Sequence, residues 1–209
     1  MLMTLPLVLL CAGVIAQELK PIPLPSPDTS GGIPLMQALK ERQSTREYLT
    51  DSIPIPVLSN LLWAACGVNR AEEGKRTAPS ARNWQEMEIY TVTAQGVSLY
   101  NPIGHTLTPV LQGDHRAATG MQEFVTVAPL NLLFVADYAK MGDSADDQKS
   151  FYSAADAAFV SQNVYLFCAS EGLGTVVRGS VDREAISKLF KLRPEQHVVL
   201  AQTVGYPKK

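Results

Sequence analysis

Between positions 42 and 46 the chain reads Arg42-Gln43-Ser44-Thr45-Arg46. Two guanidinium forks and two hydroxyls within one short stretch are a donor set suited to a phosphate group. Taken alone, the stretch is explained better as a solvated basic loop after a helix. Three other stretches stand out by composition. Pro79-Ser80-Ala81-Arg82-Asn83 combines a fixed backbone, two small residues and a bifunctional amide. Val177-Arg178-Gly179 follows the glycine pair of Gly172-Leu173-Gly174, and Lys208 with Lys209 puts two cations at the C-terminal end. The rest of the chain offers no competing chemistry. His105, His115 and His197 are scattered, Cys-x-x-Cys is absent, and no metal site is expected. Neither a Ser-His-Asp nor a paired-carboxylate constellation stands out.

These residues need elements to hold them. Pro34 to Arg42 predicts a short helix with Leu35, Met36 and Leu39 on one face. Pro54 and Pro56 break the chain before a second helix carrying Val57, Leu58, Leu61, Leu62 and Ala65, with Gly67 as its stop. Val68 to Ala78 reads as a polar loop. Glu88 to Thr93 and Val97 to Tyr100 alternate as a hairpin, followed by a turn at Asn101-Pro102-Ile103-Gly104. Asp114 to Val127 predicts a helix with Ala117, Met121, Phe124 and Val125 inward. Leu130 to Ala136 is a continuous apolar run, the mark of a strand buried on both faces. Phe151 to Glu171 predicts the longest helix, apolar nearly all round and so central or interfacial; Asp156 and Glu171 on it read as structural. Arg183 to Lys191 forms a last helix with Ala185, Ile186, Leu189 and Phe190 inward, and Val198 to Val204 a final strand. Helices and strands mix without regular βαβ alternation, so the fold class is α+β.

The N-terminal segment stands apart. Leu5 to Ile15 is apolar, and Val14-Ile15-Ala16 fits cleavage of an export signal after Ala16, giving a signal peptide over residues 1–16. A lipid anchor at Cys11 and a retained membrane anchor are the alternatives. Residues 17–32 are rich in Pro, Ser and Gly and read as an extended tether without a core of its own. One domain then covers 33–209, roughly 175 residues, a size that needs no disulfide staple. Cys66 and Cys168 fall in apolar helices and are expected as separately buried thiols. With 18 Lys+Arg against 20 Asp+Glu, the formal net charge of −2 speaks against nucleic acid as a partner.

The ordered set of Arg42-Gln43-Ser44-Thr45-Arg46, Pro79-Ser80-Ala81-Arg82-Asn83-Trp84-Gln85, Gly172-Leu173-Gly174-Thr175 leading to Arg178-Gly179-Ser180, and Gly205-Tyr206-Pro207 resembles the FMN-dependent nitroreductase family. The resemblance spans essentially all of 33–209. Tyr100-Asn101-Pro102 with His105 and Leu107 looks like the branch containing the azoline-oxidising dehydrogenases. The resemblance implies a mainly antiparallel mixed sheet flanked by helices, in a homodimer with the long helix at the interface. It implies FMN, with Arg42 and Ser44 on its phosphate and ribityl end, Gln43 contributing backbone, and Lys208 or Lys209 adding a cation. Arg46 is then a structural ion-pairer. Pro79, Ser80, Ala81 and Asn83 would reach the ring from the other subunit. Val177, Arg178 and Gly179 would lie beside N5; Arg178 departs from the smaller or acidic residue the resemblance implies there, and its side chain is expected to point to solvent, the alternative being that it draws in an anionic substrate. The implied activity is ping-pong hydride transfer from NAD(P)H through flavin N5 to a nitroaromatic or quinone-like acceptor, the chemistry being carried by the cofactor. An exported, periplasmic location conflicts with a reduced nicotinamide donor. A flavin dehydrogenase with another donor, or a non-catalytic flavin-binding protein, is therefore the alternative.

Overall fold

The computed structural model describes residues 20–208. Residues 1–16, expected as an export signal, the start of the expected tether and Lys209 lie outside the described residues. Two strands decide the architecture. The apolar run becomes Leu130–Asp137, and every one of its residues is buried. A strand with no exposed position must pair on both edges and be covered on both faces. Met87–Val92 pairs with it on one side and Gln196–Gly205 on the other, both antiparallel.

The elements in chain order are β1 (Ile22–Pro23), α1 (Leu35–Glu41), α2 (Ile55–Cys66), β2 (Val68–Arg70), β3 (Lys75–Arg76), β4 (Met87–Val92), β5 (Gly96–Asn101), β6 (Thr106–Gln112), α3 (Phe124–Val127), β7 (Leu130–Asp137), α4 (Asp146–Ser170), β8 (Gly174–Arg178), α5 (Arg183–Phe190) and β9 (Gln196–Gly205). The main sheet runs β1-β6-β5-β4-β7-β9-β8, and β2 with β3 forms a separate hairpin. The mixed α+β, mainly antiparallel class expected from the sequence is the fold observed.

One face of the sheet is covered by α2 and α4. Leu61, Leu62, Ala65, Val160, Val164 and Cys168 pack there against Ile89, Leu130, Leu132 and Phe134. On the other face Ile186 and Phe190 of α5 meet Tyr90, Leu133, Val135, Val198 and Ala201. The long helix buries Ser153, Asp156, Ala157, Val160, Ser161, Val164, Tyr165 and Cys168, a stripe at helical spacing. Cys66 and Cys168 are buried and unpaired with each other, as their helical settings predicted. No helix among the described residues is long and apolar enough to cross a membrane.

Several expectations are corrected. Pro56 does not keep the chain from turning helical: α2 starts at Ile55, and the proline sits in its first turn, where no N–H is needed. The 68–78 stretch is not a bare loop but carries the β2–β3 hairpin. The helix expected over 114–127 is broken. A 3-10 turn at Arg116–Thr119 and the short α3 flank Gly120, whose backbone is fully extended, and Met121 is 81% exposed rather than inward. The apolar face of α1 is also turned outward, since Leu35, Met36 and Leu39 are exposed and only Ala38 is buried. Ala185 of α5 is exposed as well.

The tether is extended, but part of it belongs to the body. Ile22 and Pro23 pair with Leu107 and Thr106 as a two-residue edge strand, a position that tolerates proline. Leu24 is buried in the core. Ser59 Oγ donates to Pro25 O at 2.6 Å, and His105 Nε2 lies 3.1 Å from the same oxygen. The Asp28 N–H donates to Asn60 Oδ1. One apolar side chain and three polar contacts thus give this stretch a docking site that its composition conceals.

Because Phe134 is fully buried at the centre of β7, Phe134→Ala is expected to cost about 3–5 kcal/mol. Urea unfolding followed by circular dichroism measures this, and a loss below about 1 kcal/mol would contradict the central placement of β7.

Candidate functional site

The residues after α1 run directly into the edge of the sheet. Arg42 caps the helix with its N–H on Ala38 O. Two residues on, Ser44 bridges in parallel to Thr175 of β8, and the Thr45 N–H donates to Thr175 O at 2.9 Å. The chain end comes back to the same place. Tyr48 bridges to Pro207, the Leu49 N–H donates to Tyr206 O, and the Lys208 N–H donates to Glu47 O. The Tyr48 hydroxyl donates to Thr45 O and locks the turn. Gly174 must be glycine here, because a Cβ would stand 2.8 Å from Thr45 Cγ2.

This convergence opens a cleft of about 430 Å³ lined by residues that include Lys40, Arg42, Gln43, Thr45, Tyr165, Thr175 and Pro207. The Arg42 guanidinium lies 5.3 Å from the centroid of the Tyr165 ring, and Arg42 forms no ion pair among the described residues. Glu41 also lines the cleft but accepts from Gln37 and makes no ion pair with Arg42, so a cation stacked on an aromatic face is available to an anion. Ser44 does not line the cleft wall but is exposed at its edge, with Oγ 2.9 Å from the Tyr165 hydroxyl. The Lys208 side chain is exposed and lies outside the lining. Arg46, expected as an ion-pairer, is exposed and makes no ion pair among the described residues.

Tyr165 was not singled out by the sequence. Its hydroxyl accepts the Val177 N–H at 3.0 Å and reaches Ser44 Oγ. If it passes its own proton to Ser44, the Ser44 proton is free for a ligand in the cleft. The only sequence signal for this was a hydroxyl on the buried stripe of the long helix, where buried tyrosines usually find a partner.

The outer edge of β8 points its main-chain groups at this region. Thr175 O and Val177 N are both used, by Thr45 and Tyr165. Strand alternation puts the next outward N–H at Gly179. It has no hydrogen-bond partner among the described residues, Gly179 is exposed, and nothing stands within 4 Å of where a Cβ would be. Of Val177, Arg178 and Gly179, then, Gly179 alone offers an open donor. The Arg178 side chain corrects the expectation most clearly. It turns inward, 5% exposed, and not to solvent.

Pro79, Ser80, Ala81 and Asn83 form a separate loop. Arg82, Asn83 and Gln85 have φ of 50°, 56° and 51°, a left-handed backbone that costs free energy for residues with a Cβ. Ser80 holds it from inside, its Oγ accepting from the Gln85 N–H and its carbonyl from the Asn83 N–H. Asp156 of α4 accepts the Ala81 N–H at 2.9 Å, which gives this structural carboxylate a definite task. Asp156 and Tyr165 are nine residues apart on one helix, about 13–14 Å at 1.5 Å per residue. Within one chain, therefore, the 79–83 loop and the Arg42 cleft are not one pocket.

Under the loop lies Glu86, fully buried, with neither carboxylate oxygen accepting a hydrogen bond among the described residues. Burial, and the Asp156 carboxylate facing it, push Glu86 up to about 7, while Lys140 pulls the other way.

Three comparisons bear on the whole arrangement. The sequence pattern of the Nitroreductase family matches residues 39–206. A protein of Methanocaldococcus jannaschii that carries the nitroreductase name is 32% identical over 183 residues, 83% of this chain and 91% of its own length. A solved structure from Ralstonia eutropha JMP134, also named as a nitroreductase, has a TM-score of 0.87 at 39% identity and covers 93% of both chains. A nitroreductase family protein from Streptococcus pneumoniae TIGR4 shares the fold with a TM-score of 0.63 at 16% identity, over 84% of this chain and 92% of its own.

The Glu86 carboxyl gives a pH prediction. Its folded value of about 7 lies above the ordinary 4.5, so the folded chain keeps a proton that the unfolded chain releases between those values. This contribution is fully present below about pH 4.5, falls as pH rises to 7, and is flat above. Glu86→Gln, neutral throughout, should gain melting temperature relative to the parent chain at pH 8 compared with pH 5. Parallel pH profiles for the two proteins would refute the assignment.

Proposed function

The chain belongs to the nitroreductase family, and from that premise we propose that it is an FMN-dependent oxidoreductase. The observation that carries this is the convergence of Arg42, Ser44 and Tyr165 with the open Gly179 N–H on one edge of the sheet. Arg42 holds the FMN phosphate, with Ser44 on the phosphate and ribityl side and Gln43 beside them. Lys208 lies close enough along the main chain to add charge from the rim. The Gly179 N–H meets the polar edge of the ring, where a fixed donor favours the electron-rich reduced form as an oxyanion hole does. When bound, FMN would supply hydride-transfer chemistry between a reduced nicotinamide and a flat, electron-poor acceptor such as a nitroaromatic or quinone. The protein's share is placement, exclusion of water and fixed dipoles.

We further propose that the working unit is a homodimer. Leu35, Met36 and Leu39 on α1, and Phe151 and Phe159 on α4, are 44–76% exposed. An apolar face of this kind calls for a partner. The separation between the Arg42 cleft and the strained 79–83 loop is the second support. A twofold arrangement about α4 would let Pro79, Ser80, Ala81 and Asn83 of one copy complete the cleft of the other.

A second reading is favoured by the apolar Leu5–Ile15 run and the Val14-Ile15-Ala16 signal. If the chain is exported, it works where reduced nicotinamides are scarce. It is then a flavin dehydrogenase that draws on another donor, or a flavin-binding protein without turnover.

Purified protein should be yellow, and NADH or NADPH should bleach it anaerobically. A colourless protein that ignores added FMN would sink the flavin readings, and a yellow protein that neither donor bleaches would favour the second. Arg42→Ala removes charge-assisted hydrogen bonds worth about 1.5–3 kcal/mol, so FMN affinity measured by fluorescence quenching should fall about 10- to 150-fold. Arg46→Ala should change it less than about threefold; equal losses would place the phosphate elsewhere.

A further inference from the structure

Arg178 is buried together with a set of partners that are all neutral. Its Nη1 donates to Thr119 O at 2.7 Å, its Nη2 to Asn131 Oδ1 at 3.0 Å, and its Nε to Thr203 Oγ1 at 3.0 Å. Thr203 Oγ1 in turn donates to Asn131 Oδ1, and Asn131 Nδ2 donates to Val125 O. Thr119, Asn131 and Thr203 are each fully buried. Gly120 makes room for the guanidinium: a Cβ there would stand 1.8 Å from Nη1. Burial pulls Arg178 down to about 10, so the group stays charged at neutral pH. Among the described residues it has no ion-pair partner.

A buried cation whose three nitrogens each reach a neutral oxygen, with no carboxylate in ion-pair range among the described residues, is an unusual construction. Desolvation of the charge is costly and is normally offset by a carboxylate. A methionine or leucine at this position would fill the space without that cost. The cation sits at the end of β8, one residue before Gly179 and its open N–H.

We propose that the missing counter-charge is the reduced isoalloxazine ring, so that Arg178 makes the protein bind reduced FMN more tightly than oxidised FMN. This rests on the FMN reading above. A hydride brings two electrons and one proton to a neutral ring and leaves it with one negative charge. Inside a protein that charge and a buried guanidinium are screened less than they would be in water. The guanidinium does not touch the ring; it acts through the field, and its hydrogen bonds keep it from drifting toward solvent. By linkage, tighter binding of the reduced form and a more positive potential of the bound cofactor are one quantity.

The test is a spectroelectrochemical titration of the full chain loaded with FMN, beside free FMN in the same buffer at pH 8. The bound midpoint should be more positive than the free one. Asn131→Asp keeps the Oδ1 acceptor but sets a carboxylate on Arg178, and should move the midpoint back toward that of free FMN. Arg178→Lys, which keeps a charge, should retain the positive shift, and Arg178→Met should lose it. Melting temperatures report on the fold separately, since a purely structural Arg178 would change stability and leave the potential alone. A wild-type midpoint equal to or more negative than that of free FMN overturns the proposal. So does an FMN-loaded Asn131→Asp protein with an unshifted midpoint. Failure of the wild-type chain to bind FMN would instead remove the parent reading.

Discussion

Every residue of strand β7 is buried, and that constraint organises the domain. Every main-chain N–H and C=O on it must be met by a neighbouring strand, because water cannot reach them. The pairing with β4 and β9 follows, and so does the need for apolar cover on both faces. β9 brings β8 in at the sheet edge. An edge strand has one row of main-chain groups left over. In this molecule that row is met by Thr45, by the Tyr165 hydroxyl and, at Gly179, by nothing described. The candidate site is thus the unfinished edge of a sheet whose centre is completely finished.

Two buried charges sit beside this edge and its partner loop, and they are handled differently. Glu86 faces a second carboxylate, and the simplest way to relieve repulsion and desolvation is to hold a proton near neutrality. Arg178 cannot release its proton at neutral pH, so the fold supplies neutral oxygens from three separate segments. The extended Gly120, which breaks the expected 114–127 helix, belongs to the same solution. On that extended backbone a Cβ would stand 1.8 Å from Arg178 Nη1, so the space beside residue 120 is taken by the guanidinium.

The long helix serves both parts of the site. Asp156 in its first half fixes the 79–83 loop, and Tyr165 in its second half ties Ser44 to β8. Neither side chain departs from the buried stripe that any such helix would show. A hydroxyl and a carboxylate on that stripe carry only a weak signal in sequence, because burying them requires partners from elsewhere in the chain.

Fold class, the central strand, the long helix and the two separate thiols were all legible in the amino-acid order. Each rests on local periodicity, local composition or a short contiguous motif. What remained hidden were relations between distant segments. Met121 and the face of α1 read as core because their apolar spacing is right, yet periodicity does not say which elements pack against a face. The N-terminal stretch read as free because its prolines exclude helix, yet one leucine and three carbonyl or amide contacts dock it. Arg178 read as solvent-bound because charge is costly to bury. Only the tertiary structure could reverse that, by bringing Thr119, Asn131 and Thr203 to one point where each guanidinium nitrogen finds an oxygen away from water.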